Sequence, residues 1–506
     1  MPACQHPVSV MSVLKTALQE QQFACVMEFV PKPSAERFAA MDAIMARGQV
    51  CGWPMTLAIG DRVSSPLDMS PLDALACFEH PVPALPHFSG KDRERHHLLA
   101  QMRRMDAAGQ HQLLMLMLTG DRLPGHTPGE RPVRYLESVA ALQIARQAYP
   151  HWWLGAALNP FKYREEEGAA QYLKAEKKLA AGADFFILQL GFDAAKHQEA
   201  MHWMRRQRAP KPLLACLMSL TQGRAGMLDH VAGVTVTPSM RQMLEAETAQ
   251  SKAFAQARSI DRLALQVIGV KLMGYAGVHL SGIHEPSQLL ALEARLEHWQ
   301  AHVTTLEQWA PAWQASWQMP GLPAVTFHPP QAAWREGESR VVATFAQKAR
   351  YHAMHGMHGL LFSRSNPVSQ LFGWAVRQPM WTTGLGAQVL HILERAVKRP
   401  LLGCDTCGRC RLEDTLYTCP ETCPKGLANG PCGGTTLNRC EFGDRECIHS
   451  AKYRTAKAVR QTDVLAQRLI PCVEQHTRHR SSWPGWFGAQ AQPVTRPSAP
   501  RSRPES

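Results

Sequence analysis

The sequence predicts an α/β chain: a (β/α)8 TIM barrel carrying a small cysteine-rich, metal-binding domain at its C-terminal end. Short apolar runs alternate with helical patterns over the first 300 residues, and such alternation builds a parallel sheet. Nine candidate strands spread over about 280 residues fit the eight places of a barrel with one to spare. Eight of the 14 cysteines fall between Cys404 and Cys447, which sets that stretch apart from the rest. A doubly wound sheet is the runner-up fold. Its fingerprint is missing, because no strand is followed by G-x-G-x-x-G.

The strand candidates, in order, are FACVMEF (23–29), TLAIG (56–60), LLMLML (113–118), WLGAAL (153–158), FFILQL (185–190), LLACLM (213–218), GVTVTP (233–238) and AGVHLS (276–281). VPALPHF (82–88) is weaker because prolines interrupt it. Between them, 34–48 reads as a helix with Ser34 as N-cap, Phe38, Met41 and Met45 on one face, and Gly48 as its stop. Residues 169–182 follow the same plan and stop at Gly182. Trp299, Trp309, Trp313 and Trp317 recur at near-helical spacing, as in a helix that packs aromatics into a core or interface. An amphipathic helix over 380–400 leads into the cysteines, and a helix over 450–471 buttresses them. The expected division is a barrel at 1–297, a mixed connecting region at 298–400, a cysteine module at 401–472 and a disordered basic tail at 473–506.

The formal charge of +13 favours anionic partners such as phosphates, polyglutamates, acidic proteins or nucleic acid. The nucleic-acid class is set aside, because the cysteine segment does not interleave basic and aromatic residues. The first residues lack a basic region followed by an apolar run of signal-peptide length, and no window reaches membrane-spanning length. A cytoplasmic location is expected, where disulfides are disfavoured. The clustered thiols then read as metal ligands.

In a barrel, chemistry gathers where strands end on the carboxyl side. Glu28 lies among Val26, Met27, Phe29 and Val30, where a carboxylate is costly to bury without a task or a partner. Asp121 follows LLMLML directly, although a turn acid or helix N-cap is the plain reading of it. Asn159 and Gln189 end the next two runs. Four polar residues in one register would converge on one cup at the mouth.

Seven pieces of this stretch resemble the methylenetetrahydrofolate reductase family, flavoenzymes on a (β/α)8 barrel. They are MEFVPKP, PHFSGKDR, LTGDRLPG, RYLESV, GAALNP, KKLAAGADFFILQLGFD and, less closely, VTPSM, in that order over residues 10–290. The resemblance implies reduction of 5,10-methylenetetrahydrofolate to the 5-methyl form. Glu28 would be the general acid. Asp121 would be the charge that stabilises the cationic iminium, and Gln189 a pterin contact. FAD would be held by His87, Thr119, Gly120, Asp121, Tyr135, Asn159 and Lys178, the lysine being otherwise an ordinary helix-surface residue. The donor would be NAD(P)H or a ferredoxin-like protein, and a homo-oligomer is allowed. There are departures. Thr119 stands where the bacterial reductases have arginine, and the GAALNPFKYREE loop lacks their histidine. The GVHLSGIHEP strand end lacks their folate-holding arginine, and CLMSLTQGRAG replaces their Gly-Ile-x-Pro. A catalytically degenerate barrel, serving a separate reductase as electron-transfer or scaffold partner, is the rival reading.

Cys404, Cys407, Cys410, Cys419, Cys423, Cys432, Cys440 and Cys447 supply ligands for two complete four-sulfur sites. The C-x2-C-x2-C of Cys404, Cys407 and Cys410 is a spacing common for [4Fe–4S] cubes, whereas zinc more often takes two separated C-x2-C knuckles. Iron–sulfur is favoured over zinc, and free or partly occupied thiols stay open. The pairing of ligands does not follow from the spacing. CPKGLANGPCGGT makes the segment resemble the C-terminal module of methylenetetrahydrofolate reductase-like proteins.

Overall fold

The computed structural model describes residues 12–61, 68–107, 114–123, 135–363 and 366–488. Eight parallel strands close on themselves: β1 (Ala24–Phe29), β2 (Trp53–Ile59), β3 (Ala84–Ser89), β4 (Leu114–Leu118), β5 (Trp153–Leu158), β6 (Phe185–Leu188), β7 (Leu213–Met218) and β8 (Gly277–Ser281). β1 pairs with both β2 and β8, which completes the barrel. A two-residue antiparallel strand, Gln49–Val50, is appended to β2.

Register decides which side chains face the lumen. Phe29 packs edge-on against Phe38 at 5.1 Å, and Cys25 lies near Cys51 and Glu293, so odd residues of β1 point outward to the helices. Val26 and Glu28 therefore point inward. In-register neighbours on adjacent strands share a face. Following the pairings round the ring adds Thr56, His87, Ser89, Cys216, His279 and Ser281 to the inward set.

The ninth strand candidate resolves cleanly. The proline-bearing run is β3, with Pro86 opposite Ile59 and the ladder carried by flanking groups such as Leu57 N–H to Pro83 O at 2.8 Å. The 233–238 run is not a strand. Thr237 caps helix Pro238–Gln250 by accepting from Met240 N–H, and Pro238 occupies the first turn. Apolar alternation there was outweighed by a helix-start signal.

Helix Ala35–Met45 buries Phe38, Met41 and Met45, and Ser34 sits at its N-cap without a side-chain cap bond. Helix Glu165–Ala180 ends before Gly182, whose φ is +98°. The tryptophan series spans two helices, Trp299 on Pro286–His302 and Trp309 and Trp313 on Leu306–Ser316. Trp309, Trp313 and Trp317 are buried in the barrel core, and Trp309 Nε1 donates to Leu265 O at 2.7 Å.

Helix Gly384–Leu402 precedes the cysteine module, which is built mostly of turns and isolated bridges. The helix expected at 450–471 is two pieces, Ile448–Ala458 and Val464–Gln467, parted where Arg460 takes a positive φ. The tail expected to be disordered from residue 473 is placed as far as 488. Trp483, Trp486 and Phe487 pack on Phe362 and Phe372, and Arg478 pairs with Glu421. A polar average concealed the apolar SSWPGWF within it. The remainder of the tail lies outside the described residues.

Candidate active site

Glu28 projects into the lumen from β1, half-buried. Among the described residues its carboxylate has no hydrogen-bond or ion-pair partner. Its charge is felt by Cys216, His279 and His284. Cys216 Sγ lies 3.4 Å from His279 Nδ1 and 3.6 Å from Ser281 Oγ. Across the barrel, His87 and His279 stack with ring centroids 6.2 Å apart. Burial, and then the neighbouring His279, push the His87 pKa down to about 3. His87 Nε2, His279 Nε2 and Thr56 Oγ1 are buried without a hydrogen-bond partner. Orphaned donors and acceptors are costly inside a fold, and a cluster of them in one lumen marks a place built to meet a ligand.

The turn after β4 carries Thr119, Gly120 and Asp121. Thr119 Oγ1 accepts from Ser138 N–H at 3.2 Å, tying the turn to the next helix. Gly120 has φ +88°, and an added Cβ would fall 2.3 Å from Ser89 Oγ, so only glycine fits. Tyr135 Oη accepts from Leu123 N–H and donates to Asp121 O at 3.3 Å, closing the turn. Asp121 keeps contact with solvent at the rim. Even so, the protein around it and then the charge of Glu441 raise its pKa, against Lys425 and Lys91.

Two of the groups that hold this turn come from the cysteine module. Lys425 Nζ donates to Gly120 O at 2.8 Å and pairs with Glu441 at 2.5 Å. Glu441 Oε1 accepts from Arg122 N–H at 2.6 Å. Despite burial, Lys425 holds Glu441 below the usual carboxylate range. The sequence reading quoted CPKGLANGPCGG but gave Lys425 no role, since nothing local to that motif points across 300 residues of chain.

Asn159 does not stand open in the cup. Its amide donates to Gly233 O at 3.0 Å and to Gly433 O at 2.8 Å. Gly233, with φ +77°, meets Gly433 so closely that a Cβ would lie 2.0 Å from the Gly433 oxygen. Gln189, just past β6, donates to Ala232 O at 3.2 Å and accepts from Leu190 N–H. Lys178 is buried rather than on the helix surface, its Nζ donating to Ala157 O. Burial, and then Lys174, push its pKa down to about 7. Glu28, His87 and Gln189 thus belong to the lumen, Thr119, Gly120, Asp121 and Tyr135 to one rim turn, and Asn159 and Lys178 to protein contacts beside it.

The segment Ala428–Thr435 lies along helix Glu165–Ala180 and is held by that helix's polar face. Lys174 pairs with Glu137 at 2.9 Å and donates to Pro431 O at 3.0 Å. Gln171 donates to Cys432 O at 2.7 Å, and Glu137 Oε2 accepts from Asn429 N–H at 3.1 Å. Lys162 bonds Gly433 O and Thr435 O. Glu165 accepts from Tyr453 and pairs with Lys457, and Glu166 pairs with Arg454.

The cysteines sort by proximity into two sets. Cys404 is hydrogen-bonded to Cys419, which feels Cys407, which in turn feels Cys410. The bond to Cys419 lowers the Cys404 pKa to about 7. Cys423 feels Cys432 and Cys447, and Cys440 feels Cys447. Burial raises Cys432 to about 11 and Cys423 to about 12. The second set adjoins the barrel rim, since Cys432 Sγ lies 3.3 Å from Glu441. Among the described residues, the group of three ligand atoms mutually within 4.8 Å is Asp42, Glu79 and His80, so no three of these sulfurs draw that close together.

Residues 13–293 match the family model described as Methylenetetrahydrofolate reductase, which spans more than half of the chain. The chain belongs to the methylenetetrahydrofolate reductase family. It is a methylenetetrahydrofolate reductase-like oxidoreductase, and residues 386–476 match the model described as Methylene-tetrahydrofolate reductase C terminal. The reductase barrel and that C-terminal region together hold the lumen, the rim turn and both cysteine sets. No curated protein matches the chain significantly. Among solved structures, an uncharacterized protein from Clostridium thermocellum that binds two copies of 5-methyl-5,6,7,8-tetrahydrofolic acid is 13% identical. That match covers 57% of this chain and 99% of the other, with a TM-score of 0.41. An oxaloacetate acetylhydrolase is 12% identical over 59% of this chain and 92% of its own, with a TM-score of 0.32. A 2,3-dimethylmalate lyase is 12% identical over 58% and 87%, with a TM-score of 0.33. Likenesses this distant carry no functional weight. Among the described residues no helix is long and apolar enough to cross a membrane.

Proposed function

We propose that the protein reduces 5,10-methylenetetrahydrofolate to 5-methyltetrahydrofolate with bound FAD, in a lumen whose general acid is Glu28. One observation carries this reading: in a barrel of this family, an inward carboxylate without a partner among the described residues faces a lumen of orphaned polar atoms. Those atoms fit a bound ring system. His87 would meet its edge, and the Thr119–Gly120 turn and Tyr135 would hold its flank. Asn159 and Lys178 are engaged with Gly233, Gly433 and Ala157, so they are not assigned to the cofactor's phosphates. The flavin would supply the centre that passes hydride to the one-carbon unit.

The chain's own residues do the rest. Glu28 donates a proton to a ring nitrogen of the folate, which opens the five-membered ring to an iminium cation. Asp121 places negative charge at the rim, where it attracts that cation. Gln189 would meet the pterin with the second N–H of its amide, the first being held by Ala232 O. Lys425 and Glu441 fix the turn that carries Asp121.

Each four-cysteine set would hold a metal centre. Zinc, with Zn–S near 2.3 Å, needs sulfurs roughly 3.8 Å apart. The C-x2-C-x2-C spacing of Cys404, Cys407 and Cys410 supports an iron–sulfur cube over zinc, where the protein's part is to supply thiolates and backbone N–H groups. A cavity of about 1210 Å³ runs between the rim at Arg93 and Tyr135 and the module, and Cys404 and Cys423, one from each set, line it. Arg95, Arg395 and Arg399 also face it, which suits an anionic donor, NAD(P)H or a ferredoxin-like protein.

The test is anaerobic purification with flavin and metal analysis, followed by mixing with methyl- or methylenetetrahydrofolate. Electron exchange between the bound flavin and either folate is expected. Protein with bound flavin that exchanges no electrons under any donor overturns the reading. A barrel that retains no flavin would instead make it the scaffold of a separate reductase, a reading that the engaged Asn159 and Lys178 favour.

A further inference from the structure

Glu394 and Lys398 stand four residues apart on helix Gly384–Leu402, a spacing that usually makes a solvated pair on a helix surface. Here the pair is buried. The side chains are 2% and 9% exposed, and Lys398 Nζ lies 2.6 Å from Glu394 Oε1. The ammonium also lies 5.6 Å from the centroids of both the Phe362 and the Trp483 rings. Ser481 Oγ donates to Glu394 at 2.6 Å, and Ser482 N–H at 2.7 Å. Burying such a pair is costly unless geometry repays it. The ammonium faces the first cysteine set. One cavity is lined by Lys398 together with all four of that set, Cys404, Cys407, Cys410 and Cys419. Lys398 Nζ lies 3.7 Å from Cys410 Sγ, within reach of an N–H···S hydrogen bond. The chain segment that buries the pair also holds the ligand loop. Thr477 Oγ1 donates to Cys407 O at 3.0 Å, and His479 N–H donates to Thr406 O at 3.0 Å.

We propose that Lys398 is a positioning residue of the first cysteine set, whose ammonium donates N–H to the Cys410 sulfur and so makes a cube bound there easier to reduce. This rests on the reading that the set holds an iron–sulfur cube. A thiolate-bound cube becomes one charge more negative when it takes up an electron. Net charge and hydrogen bonds to the sulfurs set how readily that happens. A positive N–H donor on a sulfur supplies both, and it favours the reduced form. Glu394 does not undo this, because the ammonium is the group in contact with sulfur, while the carboxylate is shared with Ser481 and Ser482. The second set is contacted differently. The side chains on its sulfurs are Glu441, 3.3 Å from Cys432, and Thr435, 3.7 Å from Cys447. That set therefore serves as an internal control.

The experiment is a dithionite titration of the anaerobically purified full-length protein, followed by electron paramagnetic resonance, with metal counted by elemental analysis. Lys398→Met should keep the wild-type iron content while one reduction step moves to lower potential and the other stays in place. Lys398→Arg, which keeps a charged N–H donor, should recover part of that shift. Lys398→Met strands the buried Glu394. Should it lose iron or not fold, the double variant Glu394→Gln, Lys398→Met removes both charges and is read in the same way. Iron-loaded variants with both steps unmoved overturn the inference and leave the metal reading standing. So do variants in which both steps move equally, since a general loosening of the module would then be the cause. Wild-type protein with zinc or no metal in the first set overturns the metal reading and the inference together.

Discussion

The barrel lumen and the seam between barrel and module handle buried polarity in opposite ways. In the lumen, Glu28 has no partner among the described residues, and three polar atoms of Thr56, His87 and His279 are buried unbonded. Along the seam, Glu137, Lys174, Glu165, Glu166, Lys425 and Glu441 are all paired, and backbone groups of Ala428–Thr435 take up the remaining donors. The seam has orphans of its own, since His449 Nδ1 and Nε2, Ser450 Oγ and Asn438 Oδ1 are buried there without a hydrogen-bond partner, but its carboxylates are paired where Glu28 is not. Glu28 and the orphaned atoms of the lumen are the groups left open to a ligand, and the paired ones hold the module in place.

The comparison is tested most severely at Glu28. Glu28→Gln should lower kcat/KM for methylenetetrahydrofolate by about 10²–10⁴ while leaving flavin content and unfolding temperature unchanged, because an unpartnered acid contributes chemistry and little stability. Glu137→Ala should do the reverse. Removing one partner of a buried pair strands Lys174 and costs about 3–5 kcal/mol, seen as a lowered denaturation midpoint of the full chain. If Glu28→Gln unfolds the protein, or Glu137→Ala leaves stability intact, the contrast fails.

Gly233→Ala probes the seam by shape alone. The clash with Gly433 O and the positive φ should cost about 1–3 kcal/mol and loosen the module, read as faster proteolysis between barrel and module. The smallest effect is with pH. Lys178 titrates near 7 in the fold and near 10.5 unfolded. Between those values the unfolded chain binds the extra proton, so stability should rise as pH goes from 7 to 9 and fall as it returns. Above that range the buried thiols, raised by burial, oppose the gain. Lys178→Met should flatten the slope of midpoint against pH.

The barrel was legible in the sequence because strand alternation and helix stops are local signals, as the runs at 24–29 and 153–158 show. Glu28 and Asp121 stood out for the same reason: each breaks or ends an apolar run. His279 and Cys216 were missed because a histidine or cysteine in VHLS or LACLM looks like core until register turns it inward. The seam was illegible. Lys178 reads as a helix-surface residue, and neither Glu137 nor Lys174 carries a local signal that residues 428–431 return to them. The false strand at 233–238 shows the limit in miniature, where two apolar valines lost to a Thr-Pro start signal.

That return has a consequence in time. The barrel is complete once Ser281 has been made, but the segment that closes over its rim ends near Thr435. At ~5–20 residues per second, the intervening stretch of about 150 residues keeps a nascent barrel open for roughly 10–30 s on the ribosome. A ligand of the lumen can enter during that interval without displacing the module. Because the waiting surface is lined by lysines and glutamates, water keeps it soluble until the module arrives, where an apolar seam would have invited aggregation.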